Sequence, residues 1–331
     1  MMADLIGGVA PYSGKNNLIL GTAFADNIFG DPYTTGNERG VDEVGGFLLS
    51  GRAGNDVIYG RGEQDWLYGD AWRIAGTARG GNDHIYGGNG NDVIRGDAEE
   101  IGDDGRGGND VIIGGAGSDV AYGDAPGLSG RARGGNDCMR GGASDDDLRG
   151  EGGIASDHAR GGNDAISGDH GNDLLTGDAS LLFGFARGGN DRLDGGVGND
   201  LLLGDAIGVF DSARCGNDVV TGGGGNDEMV GDAFEFGDPT TITRGHDRFV
   251  FANGSGLDTI FDFEDGRDLI DLRGFAGIAG FADLSPANVA QVGADTVIDL
   301  GAAAGGAANA DVLTLAGFTA TDLDAADFLF A

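Results

Sequence analysis

The sequence predicts an all-β solenoid, and three observations carry that prediction. A phrase of the form Arg-x-Gly-Asn-Asp returns at a constant step of 27 residues, starting at Arg52, Arg79, Arg106, Arg133, Arg160, Arg187 and Arg214. A fixed period of this size is the mark of stacked structural repeats. Of the 331 residues, 70 are Gly, too many for a helical or Rossmann-type core, because glycine is costly inside helices and strands alike. Val, Ile and Leu sit at regular places between the glycines, which argues against the disorder that charge and glycine alone would suggest. Collagen is excluded, since there is no G-X-Y register and only five prolines are present.

Each 27-residue unit divides into three nines, for example RGGNDHIYG (79–87), GNGNDVIRG (88–96) and DAEEIGDDG (97–105). The first two share one grammar: a glycine-rich turn, an Asp at the fifth place, a short strand with an apolar middle residue, and a closing Gly. The Asp of the first nine are Asp56, Asp83, Asp110, Asp137, Asp164, Asp191 and Asp218. Those of the second are Asp65, Asp92, Asp119, Asp146, Asp173, Asp200 and Asp227. Three-residue strands such as Val93-Ile94-Arg95 point one side chain inward and two outward. The inward residues read Ile58, Ile85, Ile112, Met139, Ile166, Leu193 and Val220 on one sheet, and Leu67, Ile94, Ala121, Leu148, Leu175, Leu202 and Met229 on the other.

So thin an aliphatic core does not offset the entropy of ordering this much glycine. The turns must contribute. Glycine turns aim backbone carbonyls at one spot, the Asp adds a carboxylate, and the adjacent coil supplies the same set. Several oxygen ligands with net negative charge suit Ca²⁺. The overall charge agrees: 55 acidic against 20 basic side chains give a net charge of −35. Such a chain repels nucleic acid, whose binding needs clustered Lys and Arg; Lys15 is the one lysine.

The segments GGNGNDVIR (87–95), GGAGSDVAY (114–122), GGVGNDLLL (195–203) and GGGGNDEMV (222–230) resemble the G-G-x-G-x-D-x-U-x nonapeptide of the hemolysin-type, or RTX, calcium-binding proteins. The resemblance covers residues 22–243. It implies a right-handed parallel β-roll (an RTX solenoid), Ca²⁺ between successive turns, and secretion through a type I ABC exporter to the extracellular space or the cell surface. The ligands it implies are the fourteen turn Asp together with the turn glycines Gly87, Gly90, Gly114, Gly117, Gly195, Gly198 and Gly222.

The sequence departs from the family's 18-residue coil by nine extra residues per turn. The inserts are DAWRIAGTA (70–78), DAEEIGDDG (97–105), DAPGLSGRA (124–132), EGGIASDHA (151–159), DASLLFGFA (178–186), DAIGVFDSA (205–213) and the longer DAFEFGDPTTIT (232–243), with a first arm at 31–51. All occupy one place in the coil, so they are expected to stack as a side wall along one edge. Each ends next to an Arg standing in place of the motif's second Gly. That row of seven arginines could grip an anionic polysaccharide. The expectation is instead that each pairs with the Asp opening an insert, Asp70, Asp97, Asp124, Asp178, Asp205 or Asp232, because like charges repeating at about 4.8 Å need counterions. The insert Asp are also possible extra Ca²⁺ ligands.

Outward strand positions place Tyr59, His84 and Tyr86 on one face, and Trp66, Tyr68, Arg95 and Tyr122 on the other. Aromatic rings beside Arg suit sugar stacking and carboxylate binding, but cross-strand ladders stabilise sheets without any ligand; the ladder is the preferred reading.

The chain organises as an N-terminal cap, first repeat and long arm (1–51), seven coils (52–243), a capping segment (244–273) and a C-terminal region (274–331). The segment from Arg244 onward, with its FVF, SGLDTIFDF and GRDLIDL phrases, resembles the stretch that succeeds the roll in serralysin-type proteins; physically it covers the open edge of the last coil. The ending DVLTLAGFTATDLDAADFLFA, in a region without Lys or Arg, looks like an uncleaved type I secretion signal. The start MMADLIGGVAPYSGKNN lacks the regions of a Sec-type signal, and no apolar run approaches a membrane span. Cys138 and Cys215 fall roughly 14 Å apart along the stack and read as free thiols.

No H-E-x-x-H or G-x-S-x-G occurs, and GVAPYSGK (8–15) is too long for a P-loop. The leading functional reading is a secreted Ca²⁺-binding roll acting at the cell exterior, on or with acidic polysaccharide, and not an enzyme. The rival is a Ca²⁺-dependent polysaccharide lyase built on the roll, for which Tyr59, His84, Tyr86, Arg95 and Tyr122 are the catalytic candidates.

Overall fold

The computed structural model describes residues 3–6, 18–20, 26–29, 47–284 and 287–331. The expected N-terminal cap, first repeat and long arm (1–51) lie for the most part outside the described residues. The rest is an all-β parallel solenoid in which three strands per coil feed three separate sheets. In the coil opened by Arg79 they are His84–Asn89, Val93–Arg95 and Glu100–Ile101. Each pairs in parallel with its copy 27 residues away, as in His84↔Val111, Val93↔Val120 and Glu100↔Gly127.

The first two sheets enclose the expected aliphatic column. All fourteen residues read as inward from the sequence, Ile58 to Val220 and Leu67 to Met229, belong to one buried cluster. The strands of the first sheet are longer than the three residues expected, six in Val111–Ala116, because pairing continues through the glycines of the turn.

The inserts stack along one edge, and the wall they make is a hydrogen-bonded sheet. Arg73–Ile74, Glu100–Ile101, Gly127–Leu128, Gly152–Ala155, Ala179–Leu182, Ala206–Val209 and Ala233–Phe236 form its successive rungs. This arm sheet has its own core of Ile74, Ile101, Leu128, Leu182 and Val209, flanked by the alanines near the start and end of the inserts, among them Ala71, Ala78, Ala98 and Ala186. Small residues belong there because the arm folds back tightly against its own stem.

The last coil is closed by a thicker, aromatic core. Arg248–Ala252 and Leu269–Gly274 extend one sheet, and Leu257–Ile260 extends the other. Val312–Leu315 then pairs in parallel with Leu257–Ile260, and Asp295–Asp299 and Val289–Val292 add antiparallel strands outside it. Phe249, Phe275, Ile278, Leu300, Leu313 and Phe328 are buried together. The region 274–331 is therefore folded into the cap. Antiparallel edge strands break the parallel register and so close a stack that could otherwise keep adding copies.

Candidate metal sites

All fourteen turn Asp are buried, and they form two columns along the solenoid. The first runs along the open edge, where the first sheet turns into the second. There one carboxylate oxygen of each Asp accepts the backbone N–H of the Asp one coil earlier. Asp92 N–H donates to Asp119 Oδ1 at 2.7 Å, Asp119 to Asp146 at 2.8 Å and Asp146 to Asp173 at 2.8 Å. The other oxygen, Oδ2 of Asp92, Asp119, Asp146, Asp173, Asp200 and Asp227, is buried and has no hydrogen-bond partner.

Glycine shapes the surroundings of those oxygens. A Cβ on Gly87 would lie 2.4 Å from Asp92 Oδ2 and 2.6 Å from the Gly114 carbonyl; one on Gly114 would lie 2.4 Å from Asp119 Oδ2. Gly195 and Gly222 stand in the same relation to Asp200 and Asp227. Gly90, Gly117 and Gly198, with φ of +128°, +125° and +147°, hold the turn in a backbone region that L side chains avoid.

The second column runs along the arm edge, where the insert leaves the second sheet and returns to the first. Asp83, Asp110, Asp137, Asp164, Asp191 and Asp218 repeat the same N–H ladder at 2.6–2.8 Å, Asp218 closing it on Asp247. Facing them are the acids that open the inserts. Gly81 N–H donates to Asp70 at 2.8 Å, Gly108 to Asp97 at 2.9 Å, Gly189 to Asp178 at 2.8 Å and Gly216 to Asp205 at 2.7 Å; Gly162 N–H donates to Glu151. One oxygen each of Asp97, Glu151, Asp178 and Asp205 is buried without a partner.

The electrostatics of the columns differ in degree. Burial pushes the carboxyls of Asp119, Asp146 and Asp200 up to about 7. A groove of about 440 Å³, lined in part by these Asp, runs beside that column. At the arm edge, burial and then neighbouring ionisable groups hold Asp97, Asp110, Asp137, Glu151, Asp164, Asp191 and Asp205 well above the ordinary range, whereas burial lifts Asp124 and Asp178 only to about 6, because hydrogen bonds to their carboxylates oppose it. Carboxylates arranged this way stay ionised only beside a cation.

The residues present fit Ca²⁺. Orphaned, buried carboxylate oxygens meet backbone carbonyls in cradles that only glycine leaves open, and the donor set is entirely oxygen. The fourteen turn Asp and the insert acids would hold the ions. Calcium would supply charge neutralisation and cross-linking between coils.

The columns reach further than the nonapeptide pattern predicts. Asp247 and Asp268 carry the arm-edge ladder into the cap, and Asp258 carries the open-edge one. The signal for this extension is RGHD (244–247), a shortened copy of the RGGND turn.

The expected pairing of ladder arginines with insert acids does not form. The acids point inward to backbone N–H groups, whereas Arg52, Arg79, Arg106, Arg133, Arg160, Arg187 and Arg214 are exposed and join no ion pair among the described residues. Neighbouring arginines are bridged backbone to backbone, which sends their side chains to solvent. Four of them line a groove of about 320 Å³ with Asn82 and Asn109.

The catalytic candidates are not brought together. Tyr59 and Tyr86 stack on the first sheet with ring centroids 4.7 Å apart, and His84 is exposed on the same sheet. Arg95 and Tyr122 belong to the second sheet. Arg95 is buried, donates to the Tyr68 hydroxyl at 3.1 Å, pairs with Glu99 at 2.9 Å and lies 4.8 Å from the Tyr68 ring centroid. Both groups are cross-strand ladders. Cys138 and Cys215 are free thiols, and among the described residues no helix is long and apolar enough to cross a membrane.

Comparison with known proteins agrees with this geometry. The chain matches the family described as "RTX calcium-binding nonapeptide repeat (4 copies)" at residues 48–71, 77–99, 104–125, 131–154, 158–180, 185–206 and 216–234. No curated protein matches it. Among solved structures it is similar to the extracellular lipase LipA from Serratia marcescens, at 15% identity over 84% of this chain and 45% of that one, with a TM-score of 0.28. This chain thus spans less than half the length of that lipase. With seven matched segments in register with buried carboxylate columns, the chain belongs to the RTX calcium-binding repeat proteins.

Proposed function

We propose that the chain is a secreted protein whose roll folds on Ca²⁺ outside the cell and then presents its arginine row to an acidic extracellular polysaccharide. The observation that carries the reading is the division of charge across the arm edge. Carboxylates turn inward, where calcium would neutralise them, and seven arginines turn outward with no carboxylate partner. Their spacing, one per coil at about 4.8 Å, suits a polymer with a carboxylate on each sugar, because Arg recognises carboxylates through paired N–H donors. The Ca²⁺-dependent lyase is the second reading, and it is less favoured because its candidate residues lie on two sheets and Arg95 is engaged by Tyr68 and Glu99.

Retention of the Ca²⁺-loaded protein on immobilised polyuronate tests the binding. We expect retention that salt weakens, absent on a neutral glycan and reduced when Arg106, Arg133 and Arg160 are together changed to Ser. Equal retention of that variant would remove the arginine row from the account. Ultraviolet absorbance of unsaturated products in the same mixture would instead restore the lyase. Export is tested separately. Residues 274–331, fused behind a passenger in a host with a type I ABC exporter, should carry it out; a passenger that stays inside would refute the signal.

A further inference from the structure

One coil of the arm-edge column carries a sulfur. The residue after the ladder arginine is Ala53 in the first coil, Gly80, Gly107, Gly134, Gly161 and Gly188 in the five that succeed it, and Cys215 in the next. Glycine there keeps the space between facing acids clear. A Cβ on Gly80 would lie 1.8 Å from Asp97 Oδ1, and one on Gly188 would lie 1.9 Å from Asp205 Oδ1 and 2.3 Å from Asp178 Oδ2. Cys215 thus puts a sulfur where those five coils offer room between oxygens. Its backbone keeps the shared register, Cys215 N–H donating to the Thr243 carbonyl at 2.9 Å as Gly188 N–H donates to Arg214 at 2.8 Å.

The sulfur is not alone. Cys215 Sγ and one carboxylate oxygen each from Asp205 and Asp232 lie within 4.8 Å of one another. Asp205 has no exposed surface, and its Oδ2 is buried without a hydrogen-bond partner. Asp232 is 3% exposed. One sulfur and two carboxylates make a poor calcium site, since Ca²⁺ takes six to eight oxygens. They suit a borderline or soft divalent cation that prefers thiolate and accepts three or four ligands.

We propose that Asp205, Cys215 and Asp232 form a thiophilic divalent-cation site, of the Zn²⁺ or Cd²⁺ class, at the C-terminal end of the arm-edge column. It takes Asp205 and Asp232 from the insert acids of the calcium column, in the coil where a thiol stands among the oxygens, and needs only that the roll be folded. Cys215 is half-buried, so a cation can reach it in the folded protein.

The probe is Cd²⁺, added to the folded, Ca²⁺-loaded full chain while the ultraviolet charge-transfer band of thiolate bound to cadmium is followed. We expect the band to saturate at one Cd²⁺ per chain. It should be lost in Cys215→Gly, which restores the residue of five other coils and so should fold, and be kept in Cys138→Ser. Cd²⁺ should also protect Cys215, but not exposed Cys138, from alkylation. Absence of the band in the Ca²⁺-loaded protein, or its survival in Cys215→Gly, would overturn the proposal. A further Ca²⁺ bound by Cys215→Gly, with no cadmium band in the original chain, would show that Cys215 blocks a calcium site instead.

Discussion

The two edges of the roll carry the same aspartate ladder in different surroundings, and the difference shows what the inserts do. At the open edge one row of Asp faces glycine carbonyls beneath a groove. At the arm edge two rows of acids face each other, enclosed by a third sheet with its own core. Adding nine residues per coil thus deepens the burial and doubles the carboxylates. A longer coil gains apolar area, but it also gains charge that must be neutralised. The arm should therefore make the protein more dependent on its cation than an 18-residue coil would be.

Removing calcium gives the largest effect. Because metal-binding free energy is folding free energy in such a site, chelation should abolish the β-signal in circular dichroism, and millimolar Ca²⁺ should restore it. At intermediate chelator, hydrogen exchange should rise first at the open-edge amides of Asp119 and Asp146 and last at those of Asp137 and Asp164. An unchanged signal after exhaustive chelation would refute the dependence, and exchange in the reverse order would refute the ranking of the edges.

Single charges sharpen the comparison. Asn in place of Asp keeps the Oδ1 that accepts the preceding coil's N–H and removes only the charge. With calcium present, Asp164→Asn at the arm edge should cost about 3 kcal/mol and Asp146→Asn at the open edge about 1–2 kcal/mol, the range for unbalancing a buried ionic group against losing one charge-assisted contact. In chelator the same changes should stabilise whatever structure remains, since they relieve repulsion. A cost of the same sign in both conditions, read from denaturant midpoints, would show that these Asp act as hydrogen-bonding groups alone.

Acidity acts in the same direction. Burial raises the folded-state pKa of these carboxyls above the unfolded value of 3.8, so the cation-free folded chain binds more protons than the unfolded one. Its stability is then greatest below that value and falls as the pH rises, through about 6 for Asp124 and Asp178 at the arm edge and about 7 for Asp119, Asp146 and Asp200 at the open edge. Chelated protein should gain β-signal as the pH is lowered from about 8 to about 5. Because protons and calcium both bind the folded chain, at one oxygen, the Ca²⁺ needed for half-folding should fall over the same interval, while the affinity of the already folded chain for Ca²⁺ weakens. A flat profile would mean the columns are not the seat of the calcium dependence.

Most of this fold is legible in the sequence because the repeat repeats its physics. Every inward residue from Ile58 to Met229 follows from alternation within a triplet, and every turn Asp follows from the nonapeptide. The features that stay hidden depend on facing surfaces. The arginine partners escape sequence reasoning because spacing along the chain does not say to which side of the backbone a group points. Arg106 and Asp97 recur in the same register, yet one faces solvent and the other a glycine N–H. The arm sheet is legible as a wall but not as a second core, since Ala71, Ala78 and Ala98 look like loop residues until another coil covers them. Tyr59, His84, Tyr86, Arg95 and Tyr122 share only an outward pattern, and outward positions on two sheets diverge.

The smallest expected effect compares the turns themselves. Along the open edge, Gly90, Gly117, Gly171, Gly198 and Gly225 hold φ between +125° and +149°, but Ser144 occupies that row at φ +85°. A serine has no side-chain gain that suits it to this region, where L residues are strained by about 1–2 kcal/mol. At the arm edge, Asp103, Asp157 and Asp211 alternate with Gly76, Gly130 and Gly184 near φ +60°. There the Asp is matched to its place, because each accepts the N–H of the glycine one coil earlier, as Gly130 donates to Asp157 Oδ2 at 3.2 Å. Ser144→Gly should therefore stabilise the Ca²⁺-loaded roll by up to about 1 kcal/mol, the strain relieved less the extra chain entropy of glycine. Asp157→Gly should be neutral or lose about 0.5–1 kcal/mol, since the strain at φ +61° is small for Asp and a hydrogen bond is lost. Thermal midpoints of the two variants at saturating Ca²⁺ decide the matter. If Asp157→Gly is the more stable of the two, the arm-edge turns are the strained ones and the two edges differ in a way opposite to that drawn from their backbone angles.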